Sequence, residues 1–201
     1  VSRILNRPLA EMVALFIAKR APWVTPNMVS IASFALALVA SILIAMGYLP
    51  VGGVLVQISS IVDGVDGSLA RITGRASRSG GFLDTMLDRY ADIAVYAGIA
   101  WFLAANGEIS QVDALVLVAA LSGDLAVSYL HTRGERDAGV HPALIGPLDS
   151  LASRDVRLFI LFLALVLRAP LPGLMSVALL SHLYVAVKSL YVYTHIKEGR
   201  M

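Results

Sequence analysis

The sequence predicts an all-α integral membrane protein with six transmembrane helices preceded by an amphipathic juxtamembrane helix. Three observations carry this reading. Apolar residues make up 58% of the 201-residue chain and the mean hydropathy is +0.77, beyond what an ordinary soluble domain shows. The apolar residues fall in runs long enough to cross about 30 Å of hydrocarbon, separated by Gly, Pro and Asn turn signals. The basic residues gather in alternate loops.

Residues 2–20 place Leu5, Leu9, Met12, Val13 and Phe16 at helical spacing between basic residues, the pattern of a helix lying on a membrane surface. Residues 1–22 are therefore assigned to this surface helix and 23–201 to the membrane domain. Thr25-Pro26 supplies an N-cap and a first-turn proline for a first span over 27–48. Gly47 to Pro50 ends it, and a second span covers 51–73. A Gly/Ser/Arg loop at 74–80 reverses the chain into a third span over 81–105. After a turn at 106–111, a fourth span over 112–132 is interrupted by Asp124. Residues 133–153 are the one long polar connection; spans over 154–169 and 174–196 follow, joined by Pro170 to Gly173. No internal repeat is visible.

Loops on one side hold Arg3, Arg7, Lys19 and Arg20, then Arg71, Arg75 and Arg78, then Arg133, Arg136, Arg154 and Arg157, then Lys197 and Arg200; those on the other hold only Arg168. The positive-inside rule puts both termini and the 133–153 loop in the cytoplasm, at the cell membrane. The absence of Cys excludes disulfides, thiolate metal sites and cysteine nucleophiles, and a net charge of +2 gives no reason to expect nucleic acid. The chain opens on Val1 and carries no cleavable signal, which fits one domain of a longer protein.

The chemistry concentrates between Asp63 and Asp88, in DGVDGSLARITGRASRSGGFLDTMLD. Asp63 and Asp66 are i,i+3 and Asp84 and Asp88 are i,i+4, so each pair shares a helix face. Like charges at that spacing beside hydrocarbon repel unless a cation lies among them. Oxygen-only ligands favour Mg²⁺, Mn²⁺ or Ca²⁺, and four carboxylates can hold two metals roughly 3.5–4 Å apart, a clamp for phosphoryl displacement. Gly64, Gly67, Gly80 and Gly81 remove side chains where a ligand approaches, and Arg71 offers a fixed cation for phosphate. Together these describe a diphosphate site.

Asp63-x-x-Asp66-Gly67-x-x-Ala70-Arg71, then eight residues, then Gly80-x-x-x-Asp84-x-x-x-Asp88, resembles the CDP-alcohol phosphotransferase motif at every fixed position. The six-span layout, the N-terminal helix and Thr25-Pro26-Asn27 also look like that family. The resemblance implies transfer of a phospho-alcohol group from a CDP-alcohol to a second alcohol's hydroxyl, releasing CMP, with Mg²⁺ or Mn²⁺, two ions, as cofactor. It implies Asp63, Asp66 and Asp84 as metal ligands and Asp88 as general base and further ligand. Asp66, Gly67, Ala70, Arg71 and Gly80 would line the CDP site. It also implies a homodimer and, in some relatives, a fused upstream cytidylyltransferase that makes CDP-inositol.

For the acceptor, Tyr129-x-x-x-Arg133-x-Glu135 and Ser153-Arg154-Asp155-Val156-Arg157 resemble the branches that use inositol phosphate, making phosphatidyl- or archaetidylinositol phosphate or the di-myo-inositol phosphate type of product. Arg133, Arg154 and Arg157 are the expected acceptor-phosphate ligands; the bland alternative is topology determinants and headgroup anchors. His131 stands where some of those relatives carry Lys. Glycerol phosphate or serine is the alternative acceptor, and the donor is either lipid-linked or CDP-inositol. Asp124 suits helix-to-helix hydrogen bonding; Asp92 suits orienting a neighbour or pairing with Arg89; His182 and Lys188 are given no chemistry. A rival class, an ion-coupled transporter, is disfavoured because the acids cluster at one membrane face and no inverted repeat is visible.

Overall fold

The computed structural model describes residues 6–107 and 110–199. Among them the chain forms seven α-helices and no strand: α1 Arg7–Arg20, α2 Pro26–Ala45, α3 Leu49–Thr73, α4 Arg78–Ala105, α5 Gln111–Ala138, α6 Arg154–Val166 and α7 Pro170–Lys197, with a short 3₁₀ turn at Pro142–Leu144. Arg3, Leu5, Arg200 and the centre of the 106–111 turn lie outside the described residues.

The N-cap and first-turn proline expected at Thr25-Pro26 form, and the other helix ends carry caps of their own. Thr25 Oγ1 accepts from the N–H of Met28 at the start of α2, and Ser77 Oγ from that of Gly80 at the start of α4. Ser110 and Asp113 form a capping box at α5. Gly74 and Gly139 end α3 and α5 in the left-handed conformation that a side chain resists.

Six helices follow α1, but only α2, α3, α5 and α7 are long and apolar enough to cross a membrane on those grounds alone. The shortfall has a physical cause in each remaining case. α4 carries Asp84, Asp88, Arg89 and Asp92 in its N-terminal half, which lowers its hydropathy. α6 has 13 residues, about 20 Å of helix, and its chain breaks at Arg168, where φ is positive.

The main core is built on α2, α3, α4, α6 and α7, through Ile44, Val56, Val95, Ile99, Leu165 and Leu174 among others. Small residues let the helices close. A Cβ on Gly98 of α4 would lie 2.5 Å from the Ser41 carbonyl oxygen of α2, and one on Gly53 of α3 would lie 3.1 Å from that of Phe162 of α6. The glycines of the spans thus serve close helix packing. α1 lays Ala10 and Ala14 on Val65 and Leu69 of α3, leaving Met12, Val13 and Phe16 exposed.

The 139–153 connection is tied down by α7. The buried Lys188 ammonium donates to the carbonyls of Ala143 (3.2 Å) and Ile145 (2.8 Å), and Tyr184 Oη donates to that of Asp149 (2.9 Å). Lys188 therefore faces the bundle interior and does not snorkel.

Candidate active site

α3 and α4 each pack along α2 more than on each other, and the space this leaves between them receives their acidic faces. Carboxylate oxygens of Asp63, Asp84 and Asp88 all lie within 4.8 Å of one another, close enough to share a cation. Asp66 stands beside this group, nearly buried. Its carboxylate accepts from Ser30 Oγ of α2 and from the N–H of Gly67, which fixes it at the wall.

Two cavities meet at these acids. The larger, about 970 Å³, is lined by Asp63, Asp84, Asp88 and Arg154. The smaller, about 200 Å³, is lined by Asp66, Gly67, Ala70, Arg71, Gly80 and Asp84. Asp66, Gly67, Arg71 and Asp84 line both. The rest of the motif is divided in space: Ala70 and Gly80 line only the smaller cavity, and Asp63 and Asp88 only the larger. Arg71 is exposed and donates to Ser68 Oγ (3.1 Å), with no carboxylate partner among the described residues. A Cβ on Gly80 would crowd Ser77 Oγ at 3.0 Å and Asn27 Oδ1 at 3.2 Å, so those side chains would have to give way.

The three arginines expected at the acceptor phosphate do not converge. Arg154 reaches the acids: Nη1 lies 2.8 Å from Asp63 and 3.0 Å from Asp88, and Nε donates to Asp92 at 2.9 Å. Arg157, one turn deeper on α6, is fully buried and holds Asp124 through Nε and Nη2, both at 2.9 Å, while Nη1 donates to the Ala152 carbonyl. Arg133 is exposed, pairs with Asp137 at 2.6 Å and lines neither cavity. Residues two apart on a helix point about 200° apart, so Arg133 and His131 cannot both face inward, and His131 is the one that does. Its Nε2 is 3.0 Å from Tyr184 Oη and its ring 4.7 Å from that of His141, which lines the same cavity.

Behind the acids lies a charge network that the sequence showed only in pieces. Arg89 bridges Asp92 (3.2 Å) and Asp124 (3.4 Å), and Tyr96 Oη donates to Asp124 at 3.1 Å. Asp92 thus both pairs with Arg89 and orients Arg154, and Asp124 joins α4, α5 and α6. Tyr96 and Tyr184 were missed because each reads as an ordinary apolar-face aromatic, with nothing local to mark its distant partner. Six carboxylates (Asp63, Asp66, Asp84, Asp88, Asp92, Asp124) share this region with three guanidinium groups (Arg89, Arg154, Arg157). That surplus of hard oxygen donors at a cavity wall fits divalent cations of the Mg²⁺ or Mn²⁺ kind.

The sequence profile of the CDP-alcohol phosphatidyltransferase family matches residues 23–192. The chain is 39% identical, over 88% of its length, to the bifunctional IPC transferase and DIPP synthase of Rubrobacter xylanophilus, of which it covers 38%. It is 35% identical over 79% of its length to the archaetidylinositol phosphate synthase of Pyrococcus horikoshii, covering 78% of that protein. The chain thus spans less than half the length of the first two curated relatives it matches, 38% and 46%. Its fold matches the crystal structure of Mycobacterium tuberculosis phosphatidylinositol phosphate synthase with CDP-DAG bound, at a TM-score of 0.76 and 23% identity, covering 93% of this chain and 94% of that one. The same synthase in complex with manganese and citrate matches at 0.76 as well.

Proposed function

Because the chain belongs to the CDP-alcohol phosphatidyltransferase family, we propose that it transfers a phospho-alcohol group from a CDP-alcohol to the hydroxyl of an inositol phosphate and releases CMP. The observation that carries this is the convergence of Asp63, Asp84 and Asp88 where two cavities join. One chamber takes the cytidine diphosphate against Gly67, Ala70, Arg71 and Gly80; the other takes the acceptor beside Arg154 and Asp88.

Asp63, Asp66, Asp84 and Asp88 would hold the divalent ions, whose charge would neutralise the diphosphate and orient it for in-line attack. Arg71 binds the donor's phosphates where the two cavities join. Asp88 takes the proton from the acceptor hydroxyl as that oxygen bonds to the phosphorus bearing the donor alcohol. The bond from that phosphorus to the CMP oxygen breaks, and CMP leaves.

Inositol phosphate is favoured because the matched relatives are named for inositol-containing products, and because Arg154, His131 and His141 face the larger cavity. Within this reading Arg154 is the acceptor-phosphate ligand, and Arg157 supports it at one remove, through Asp124, Arg89 and Asp92. All six helices after α1 lie in the cell membrane with the acids at the cytoplasmic face, α1 rests its exposed Met12, Val13 and Phe16 on lipid, and the protein is a homodimer. Cysteine labelling at Lys197 and Arg168 from either side of sealed vesicles tests the orientation, and crosslinking in membranes tests the dimer.

The activity test is CMP release by the purified protein from CDP-diacylglycerol and from CDP-inositol, each with inositol phosphate, glycerol phosphate or serine, with Mg²⁺, Mn²⁺ or EDTA. The proposal requires metal-dependent release that inositol phosphate stimulates most. Preference for glycerol phosphate or serine would reassign the acceptor, and release indifferent to metal would remove the reaction class.

A further inference from the structure

Building on the metal-dependent reading above, we infer that Arg154 couples divalent-cation binding to binding of the acceptor's phosphate, because one guanidinium group serves both. Arg154 lines the larger cavity on α6, opposite the acids of α3 and α4. Its Nε is pinned to Asp92, whose side chain is 1% exposed, while Nη1 is divided between Asp63 Oδ2 and Asp88 Oδ1. The two ends of the fork are therefore held differently. The Nε end is anchored to a carboxylate that faces away from the cavity and is backed by Arg89. The Nη1 end rests on the two acids that belong to the cation-binding group.

An incoming phosphate dianion must compete with Asp63 and Asp88 for that end. Positive charge delivered to the same two carboxylates weakens their hold on Nη1, and the anchored Nε keeps the side chain within reach of the cavity. The cation therefore turns Arg154 from a counter-ion of the acids into a phosphate ligand. Linkage makes the effect reciprocal: a tetrahedral dianion on Arg154 strengthens cation binding by the same factor. Arg157, closed on Asp124, has no such choice of partners, and Arg71 has no carboxylate to leave.

The test uses the full chain in detergent micelles, with Mn²⁺ as the cation and inorganic sulfate as the tetrahedral dianion. Free Mn²⁺ is followed by electron paramagnetic resonance, in sulfate and in chloride at equal ionic strength. In the unaltered protein sulfate tightens Mn²⁺ binding on the order of tenfold. In Arg154→Gln, binding in chloride is at least as tight, since a competing cation is gone, and the sulfate effect falls below about twofold. Arg154→Lys keeps the charge without the fork and gives an intermediate effect, with melting temperature checking that both variants are folded. Coupling is disproved if sulfate leaves Mn²⁺ affinity of the unaltered protein untouched, or if Arg154→Gln retains the full factor. Asp84→Asn separates the two levels: if it binds Mn²⁺ as the unaltered protein does, the metal site itself is misassigned and the coupling falls with it.

Discussion

Arg157 and Asp124 meet between α6 and α5 in a two-pronged ion pair, Nε to Oδ2 and Nη2 to Oδ1 at 2.9 Å each, with both side chains shut off from solvent. Such a pair specifies geometry more than it stabilises, since replacing both members is often harmless whereas losing one strands a charge. Asp124→Ala should lower stability by about 3–5 kcal/mol, seen as loss of the folded, monodisperse species in detergent. Asp124→Leu combined with Arg157→Met should recover part of it, the remainder being lost because Arg89 and Tyr96 use the same carboxylate. A single variant as stable as the parent would contradict the pairing.

The acids at the cavity junction should behave differently from that structural pair. Asp88→Asn removes the proposed proton acceptor with little change in shape, so CMP release should fall by about 10²–10⁴-fold while melting in EDTA stays near the parent's. Asp84→Asn should abolish the stabilisation that Mn²⁺ gives. A surviving metal-dependent melting shift in Asp84→Asn would move the cation elsewhere.

Arg154 and Arg133 offer a contrast between an arginine at the cavity and one turned to solvent. Arg154→Gln should raise the KM for inositol phosphate by about tenfold or more, the loss of one charged hydrogen-bonding partner. Arg133→Gln should change it less than about threefold, because an exposed pair such as Arg133–Asp137 contributes little. Equal effects from the two variants would show that the open arginine takes part after all.

Much of this was legible in the chain, and the limit is physical. Helix ends are set by local chemistry, so Thr25-Pro26 announced the start of α2, whereas α5 runs on to Ala138, capped by Gly139, past the end expected at 132. The spacing of Asp63, Asp66, Asp84 and Asp88 implied two acidic faces, and these do meet. What local spacing could not reveal is rotation and depth across helices. Arg133 and His131 compete for one inward direction, and Arg154 and Arg157 share a face of α6 but sit at different depths, where different partners wait. α6 read as a span of the same kind as the others, yet it ends at Val166, and a composition window does not register where hydrogen bonding stops.

Lys188 tests how the acceptor end of the cavity is held. The ammonium is buried, donates to the carbonyls of Ala143 and Ile145, and lies 5.8 Å from the centroid of the Tyr184 ring. Lys188→Met fills similar space but leaves both carbonyls without their donor, at a cost of about 1–3 kcal/mol. The loop bearing His141 should then become open to limited proteolysis, and KM for the acceptor should rise more than kcat falls. Unchanged protease resistance would mean that Tyr184, through the Asp149 carbonyl, holds the loop without it.

Packing far from the acids should set their separation. Gly98 lies on α4, and a Cβ there would reach 2.5 Å from the Ser41 carbonyl oxygen and 3.1 Å from its carbon. Main chain cannot yield as a flexible side chain does, so Gly98→Val must push α4 away from α2. Overpacking of this kind costs about 1–3 kcal/mol. Since α2 is the helix against which both α3 and α4 are registered, the shift also carries Asp84 and Asp88 away from Asp63. Mn²⁺ affinity should therefore drop in Gly98→Val although no ligand is altered. Gly81→Ala, with no atom within 4 Å of the added carbon, should leave the melting temperature unchanged or slightly higher. If Gly98→Val melted earlier yet bound Mn²⁺ as before, the acids would be held by their own network of arginines and not by helix packing.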